Sequence, residues 1–175
     1  HGFEYGWTYD SHILWQESYA TLPLAAARTS KIKLGHFVTN PGIRDPTITA
    51  SWYATMQDIS DGRMVMGIGR GDSSRRVVGL KPVKVADFEA RCAMMKELMN
   101  GRKVEWNEKE LELSWVRDEL PDIEMWIAGY GPLHLLASHH FRRMLRDVMA
   151  DVVERRTQPR SKPTPSAPAT SQQPE

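Results

Sequence analysis

Short apolar runs separated by Gly, Pro, Asp and Asn fill the first three quarters of the chain. Tyr5 to Tyr9 is aromatic and bounded by Gly2 and by Asp10-Ser11, which predicts a buried strand. Trp15 to Arg28 is rich in alanine, with Leu22, Ala25 and Ala26, and predicts a helix. Ile32 to Val38 predicts a second strand ending at Thr39-Asn40-Pro41-Gly42. Asp45-Pro46 has the form of an N-cap followed by proline at the first helical position. The helix it opens should run through Trp52, Met56 and Ile59 and stop at Asp61-Gly62. Met64 to Ile68 shows no polar alternation, the pattern of a strand covered on both faces.

A glycine-rich loop, Gly69 to Ser74, follows that strand. Ala86 to Met99 places Phe88, Cys92, Met95 and Met99 on one helical face and closes at Asn100-Gly101. Val104 to Trp106, a turn over 107–110 and then Leu111 to Trp115 predict a hairpin insertion. Met125 to Ala128 predicts a last buried strand, ending in Gly129-Tyr130-Gly131-Pro132. This order is the alternation of an α/β protein with parallel strands, either a doubly wound sheet or a (β/α)8 barrel. Both closures place ligands at the carboxyl ends of the strands. Those ends hold Asp10 and His12, Thr39 and Asn40, the Gly69–Ser74 loop, and Gly129 to Gly131.

Composition narrows the function classes. The chain has 175 residues, 23 basic and 22 acidic, a net charge of +1 that lacks the excess a phosphate-neutralising nucleic-acid binder needs. No apolar run reaches the ~18–20 residues of a membrane span. Cys92 is the single cysteine, which excludes an intramolecular disulfide and points to a cytoplasmic protein. The chain opens on His1 and not on Met, so an upstream segment is expected. Residues 159–175 hold five of the eleven prolines among Ser, Thr, Gln and Ala. The expected division is a body over 1–132, a basic helical segment over 133–156 and a disordered tail over 157–175.

The candidate chemistry lies at the strand ends. In Gly67-Ile68-Gly69-Arg70-Gly71-Asp72-Ser73-Ser74-Arg75-Arg76 the glycines admit close backbone approach to an anion, and hydroxyls and guanidiniums add donors. The same stretch also reads as a tight strand-to-helix turn with solvated charges, and it is neither G-x-G-x-x-G nor a Walker A motif. Asp10 and His12 pair a carboxylate with a histidine, either for proton transfer near neutral pH or as a turn cap beside a satisfied imidazole. His36, inside a strand, is expected to be packed, and Cys92 to lie in the core. His134, His139 and His140 have no carboxylate at metal-ligand spacing, so no metal site is expected.

Gly2-Phe3-Glu4-Tyr5-Gly6-Trp7-Thr8-Tyr9-Asp10-Ser11-His12, Thr49-Ala50-Ser51-Trp52-Tyr53-Ala54-Thr55-Met56, Ser60-Asp61-Gly62-Arg63, Gly67 to Asp72, and Trp126-Ile127-Ala128-Gly129 together resemble the luciferase-like monooxygenase family. The likeness is strongest to its coenzyme F420-dependent oxidoreductases. It implies a (β/α)8 barrel, here partial, because such a barrel takes ~250 residues and eight strands. It implies hydride transfer between a deazaflavin, with FMN as the alternative, and a small organic substrate, without nucleic-acid or membrane partners and with self-association left open. Asp10 matches a contact to the deazaflavin head group, and Thr39 and Asn40 a strand-end bulge behind the ring. Gly69, Arg70, Gly71 and Ser73 match ring or phosphate contacts, and Tyr130 and Gly131 a backbone phosphate contact. Asp72 matches an acidic proton-transfer residue. His12 falls one residue beyond the family's catalytic histidine, with Ser11 between. The rival reading is a non-catalytic remnant that serves as an interaction module or does not fold alone.

Overall fold

The structure, a computed structural model, describes residues 2–129. Tyr130, Gly131, the expected basic segment and the expected tail lie outside the described residues. Strands β1 (Tyr5–Thr8), β2 (Lys33–Thr39), β3 (Met64–Ile68) and β6 (Glu124–Ile127) form one sheet in the order β1-β2-β3-β6. Every pairing in it is parallel. Helices α1 (Ser18–Ala27) and α2 (Pro46–Ile59) make the first two crossovers. The third contains α3 (Asp72–Arg76), α4 (Val85–Met99) and a hairpin of β4 (Val104–Trp106) and β5 (Lys109–Leu111). Spatial order follows chain order without reversal, which is the winding of a (β/α) barrel and not of a doubly wound sheet. Among the described residues the sheet is open, with β1 and β6 at its edges.

Register divides the sheet into two faces. Leu34 pairs with Met64, and His36 with Met66, on the face that joins Leu22 of α1, Tyr53 and Met56 of α2, and Phe88, Met95 and Leu98 of α4 in one buried core. Each Leu or Met so buried contributes about 2 kcal/mol. On the other face Trp7 pairs with Gly35, Gly35 with Val65, and Gly67 with Trp126. Here the rings of Tyr5, Trp7 and Trp126 stand with centroids 5.2–5.5 Å apart, and Phe37 lies 5.4 Å from Trp7. A Cβ on Gly35 would fall on the Val65 carbonyl oxygen and against the Trp7 ring, so glycine is required by the close approach of two strands.

Three expectations are corrected. Helix α1 begins at Ser18 and not at Trp15, because Ser11 carbonyl accepts from Leu14 and Trp15 N–H in a separate turn and the Glu17 carboxylate caps Tyr19 N–H. The hairpin turn has two residues: Asn107 (φ 50°) and Glu108 (φ 61°) are both left-handed, so Trp106 pairs with Lys109. Asn-Glu lacks the glycine that marks such turns in a sequence. Asp72 to Ser74 belong to the short helix α3, with Gly71 (φ 83°) as its N-cap, where a loop was expected. No helix of the described residues is long and apolar enough to cross a membrane.

His36 is wholly buried, as its place in a strand implies. Its Nδ1 lies 2.7 Å from the Tyr53 hydroxyl and its Nε2 3.0 Å from the Ser18 hydroxyl, which joins β2 to both flanking helices. Burial, reinforced by the charge of Arg44, lowers its pKa from 6.5 to about 3. A depressed histidine contributes stability above its unfolded pKa and loses it as pH falls toward the folded one. The chain should lose roughly 2 kcal/mol from this group between pH 7 and pH 5. A His36→Gln variant, less stable at pH 7, should lose correspondingly less over the same interval. Urea unfolding at the two pH values checks this, and equal losses in both proteins would contradict it.

Candidate active site

A cavity of about 430 Å³ opens at the carboxyl ends of β1, β2, β3 and β6. Residues just past β1 supply Tyr9, Asp10 and Ser11, and the end of β2 supplies Phe37, Val38, Thr39 and Asn40. Gly69 to Ser74 line it after β3, and Ala128 after β6. The four strand ends singled out in the sequence therefore meet around one space. The register of β2 against β3 slips between His36 and Thr39, and the Phe37–Val38 peptide is cis, so the irregular end of β2 lies in the cavity wall. Phe37 keeps 52% of its surface exposed there and offers an apolar face.

Asp10 is the buried acid of the site, at 5% exposure. Thr39 Oγ1 donates to Asp10 Oδ2 at 2.8 Å, and Thr39 Oγ1 in turn lies 2.8 Å from the Tyr19 hydroxyl. With the threonine proton committed to the carboxylate, Tyr19 is the donor in the second bond. Burial raises the Asp10 pKa above the usual carboxylate value, against the opposing hydrogen bond from Thr39 and the charge of Arg44. Burial likewise raises Tyr19, with the neighbouring Asp10 charge acting in the same sense. Arg44 sits over the Tyr19 ring at 4.1 Å and pairs with Glu17 at 2.6 Å. Asn40 is spent on the frame: its Oδ1 accepts from Gly42 and Ile43 N–H, and its Nδ2 donates to the Ser74 hydroxyl at 3.0 Å. The Gly71 backbone is left-handed, which lets α3 start directly at the cavity and places Asp72 on its rim.

The family model for luciferase-like monooxygenases matches residues 1–137. A 5,10-methylenetetrahydromethanopterin reductase of Archaeoglobus fulgidus is 36% identical over 137 residues, 75% of this chain and 40% of the relative. The chain belongs to the luciferase-like monooxygenase family. The solved coenzyme F420-dependent tetrahydromethanopterin reductase from Methanopyrus kandleri has TM-score 0.63 and 32% identity over 78% of this chain and 45% of that one. An F420-dependent secondary alcohol dehydrogenase in complex with an F420-acetone adduct shares the fold at TM-score 0.54 and 18% identity, over 76% of this chain and 46% of that one. This luciferase-like chain thus spans less than half the length of these relatives.

Eight of the eleven residues selected from the sequence line the cavity: Asp10, Thr39, Asn40, Gly69, Arg70, Gly71, Asp72 and Ser73. His12 does not line it and is exposed to solvent. Tyr130 and Gly131 lie outside the described residues. The residue that sequence reasoning passed over is Ser11. It is 3% exposed, lines the cavity, and its hydroxyl has no hydrogen-bond partner among the described residues. The one-residue offset of His12 was the available signal, because it left Ser11 at the position directly after the aspartate. A second cavity, of about 260 Å³, lies at the opposite end of the sheet near Gln57, whose amide binds Met64 N–H at the start of β3 and the Pro121 carbonyl.

Removing the donor in a Thr39→Val variant should cost about 1–3 kcal/mol and raise the Asp10 pKa further, because the charged form loses the bond that favours it. Carboxyl-carbon NMR titration with parallel urea unfolding measures both. An unmoved Asp10 titration would show that the hydrogen bond does not form.

Proposed function

We propose that the cavity holds the ring system of coenzyme F420, with FMN as the alternative occupant, in an oxidoreductase that moves a hydride between this ring and a small organic substrate. The observation that carries the reading is the convergence of four parallel strand ends on one cavity whose buried Ser11 hydroxyl has no partner among the described residues. A volume of about 430 Å³ falls within the roughly 300–1,000 Å³ of small-molecule sites. Its wall combines an apolar part, Phe37, Val38 and Ala128, with a polar part, Asp10, Ser11 and Thr39, which suits a flat ring with one hydrogen-bonding edge. The coenzyme F420-dependent reductase from Methanopyrus kandleri, 32% identical to this chain, supports this choice.

Bound there, the deazaflavin would supply the hydride chemistry. Asp10 and Ser11 would hold polar ring atoms, and Thr39 would keep Asp10 oriented. Gly69, Arg70, Gly71 and Ser73 would take the cofactor on the β3 side. Asp72, on the rim with its carboxylate 3.4 Å from Arg76, would move the proton that accompanies transfer. Ser11 stands directly after Asp10, where the resemblance would put the family's catalytic histidine, and His12 would have no contact with the ring. A small-molecule substrate and a cytoplasmic setting belong to the same reading, in keeping with a single cysteine that is buried in the core.

Titration of the purified chain with F420 and with FMN, read by fluorescence, tests the reading. F420 should bind the more tightly. FMN binding tighter by tenfold (~1.4 kcal/mol) would reverse the choice, and no binding of either would overturn the reading. In an intact relative with the same residues, Asp72→Asn should lower turnover about a hundredfold with cofactor affinity nearly unchanged. Lost affinity with turnover intact in the residual complex would make Asp72 a binding residue instead.

A further inference from the structure

Arg44 lies between β2 and α2, one residue before the Asp45 cap, and does not line the strand-end cavity. Its guanidinium stands 4.1 Å over the Tyr19 ring, and its Nη2 donates to Glu17 Oε2 at 2.6 Å. The other oxygen of that carboxylate, Oε1, accepts from Tyr19 N–H at 3.1 Å, so Glu17 caps α1 and anchors the arginine at once. Tyr19 is thereby held at its backbone by Glu17 and on its ring by Arg44. The same ring packs against His36 at 4.4 Å and Trp52 at 4.7 Å. These contacts aim the Tyr19 hydroxyl at Thr39, whose own proton goes to Asp10. Arg44 Nε is buried and has no hydrogen-bond partner among the described residues. Burying a guanidinium N–H without an acceptor is costly, and the ring contact and the Glu17 bond offset that cost.

Two effects reach Asp10 from this arrangement. A cation over the ring makes the phenol O–H a stronger donor, and hydrogen bonds in a line strengthen one another. The charge of Arg44 also favours the ionised form of Asp10, against the burial that disfavours it. His12 acts on Asp10 in the same sense as Arg44, Glu17 in the opposite sense, and Thr39 adds a neutral donor. We propose that Arg44 is a positioning residue of the site, which through Tyr19 and Thr39 holds the Asp10 carboxylate charged and oriented at the strand-end cavity. The consequence for a ligand rests on the ring reading above. An ionised Asp10 accepts a hydrogen bond from an N–H at the polar edge of a ring, and a neutral one loses part of that capacity.

Carboxyl-carbon NMR titration of Asp10 in the free chain tests the proposal in the wild type, Arg44→Met, Tyr19→Phe and the double variant, with thermal melts to show that each is folded. Asp10 should titrate at higher pH in Arg44→Met than in the wild type. The displacement caused by the same substitution should be smaller in the Tyr19→Phe background, where the hydroxyl that links Arg44 to Thr39 is gone. No displacement in a folded Arg44→Met would make Arg44 a packing residue and overturn the proposal. Equal displacements in the two backgrounds would overturn the route through Tyr19 and the proposal with it. If Arg44→Met does not fold, Arg44→Lys, which keeps the charge and loses the flat face over the ring, takes its place with a smaller displacement in the same direction. F420 affinity supplies the second readout. Binding to the wild type should weaken as pH falls through the Asp10 titration, and in Arg44→Met that fall should move to higher pH. Identical pH profiles would overturn the proposal. No binding of F420 by the wild type would overturn the ring reading alone, since the carboxyl titration is recorded without ligand.

Discussion

The hydroxyl of Thr39, held between Tyr19 and Asp10, ties three elements of the chain to one point. Asp10 lies just beyond β1, Thr39 ends β2, and Tyr19 is in the first turn of α1. A carboxyl at 5% exposure is costly unless its oxygens are met by donors, and Thr39 supplies one at 2.8 Å. The bond forms only if β1 and β2 run parallel and end side by side, which their register provides. The hydrogen-bonded line therefore fixes where the sheet stops and where the cavity begins. Ser11, the next residue, is carried into the cavity wall by the same constraint.

The two faces of the sheet have different tasks. On the helix side His36 joins Ser18 and Tyr53, so β2 is clamped between α1 and α2 by side-chain bonds as well as by apolar burial. On the other side the strands approach closely at Gly35, and large aromatic rings from β1, β2 and β6 fill the space above it. Phe37 belongs to both regions, touching the aromatic group and lining the cavity. The rigidity of the sheet thus reaches the site directly through β2, and the rim at Asp72 and Ser73 is carried by the first turn of α3.

Much of this was legible in the sequence because the strands are short, apolar and separated by strong punctuation. Met64–Ile68 declared a strand buried on both faces, and Asp45-Pro46 and Asp61-Gly62 marked both ends of α2. The winding direction was not legible, since a doubly wound sheet and a barrel share the same alternation and differ only in which strands become neighbours. Local hydrogen bonds decided the elements that shifted: the Glu17 cap shortened α1, and two left-handed residues without glycine, Asn107 and Glu108, tightened the hairpin. At the site, residue types at strand ends were enough to gather eight lining residues. Which side chain turns inward was beyond reach, because Ser11 and His12 differ by one position and only the turn after β1 decides between them.

On the proposed reading, the strand-end cavity is the ligand site of this chain. Backbone amide chemical shifts of the 15N-labelled chain, recorded with and without saturating F420, test it most directly. The expected shifts centre on Asp10, Ser11, Asn40, Gly69 and Gly71, with His12 less affected than Ser11. Shifts centred instead on Gln57, Gly101 and Val116 at the opposite end of the sheet, or no shifts at all, would contradict it.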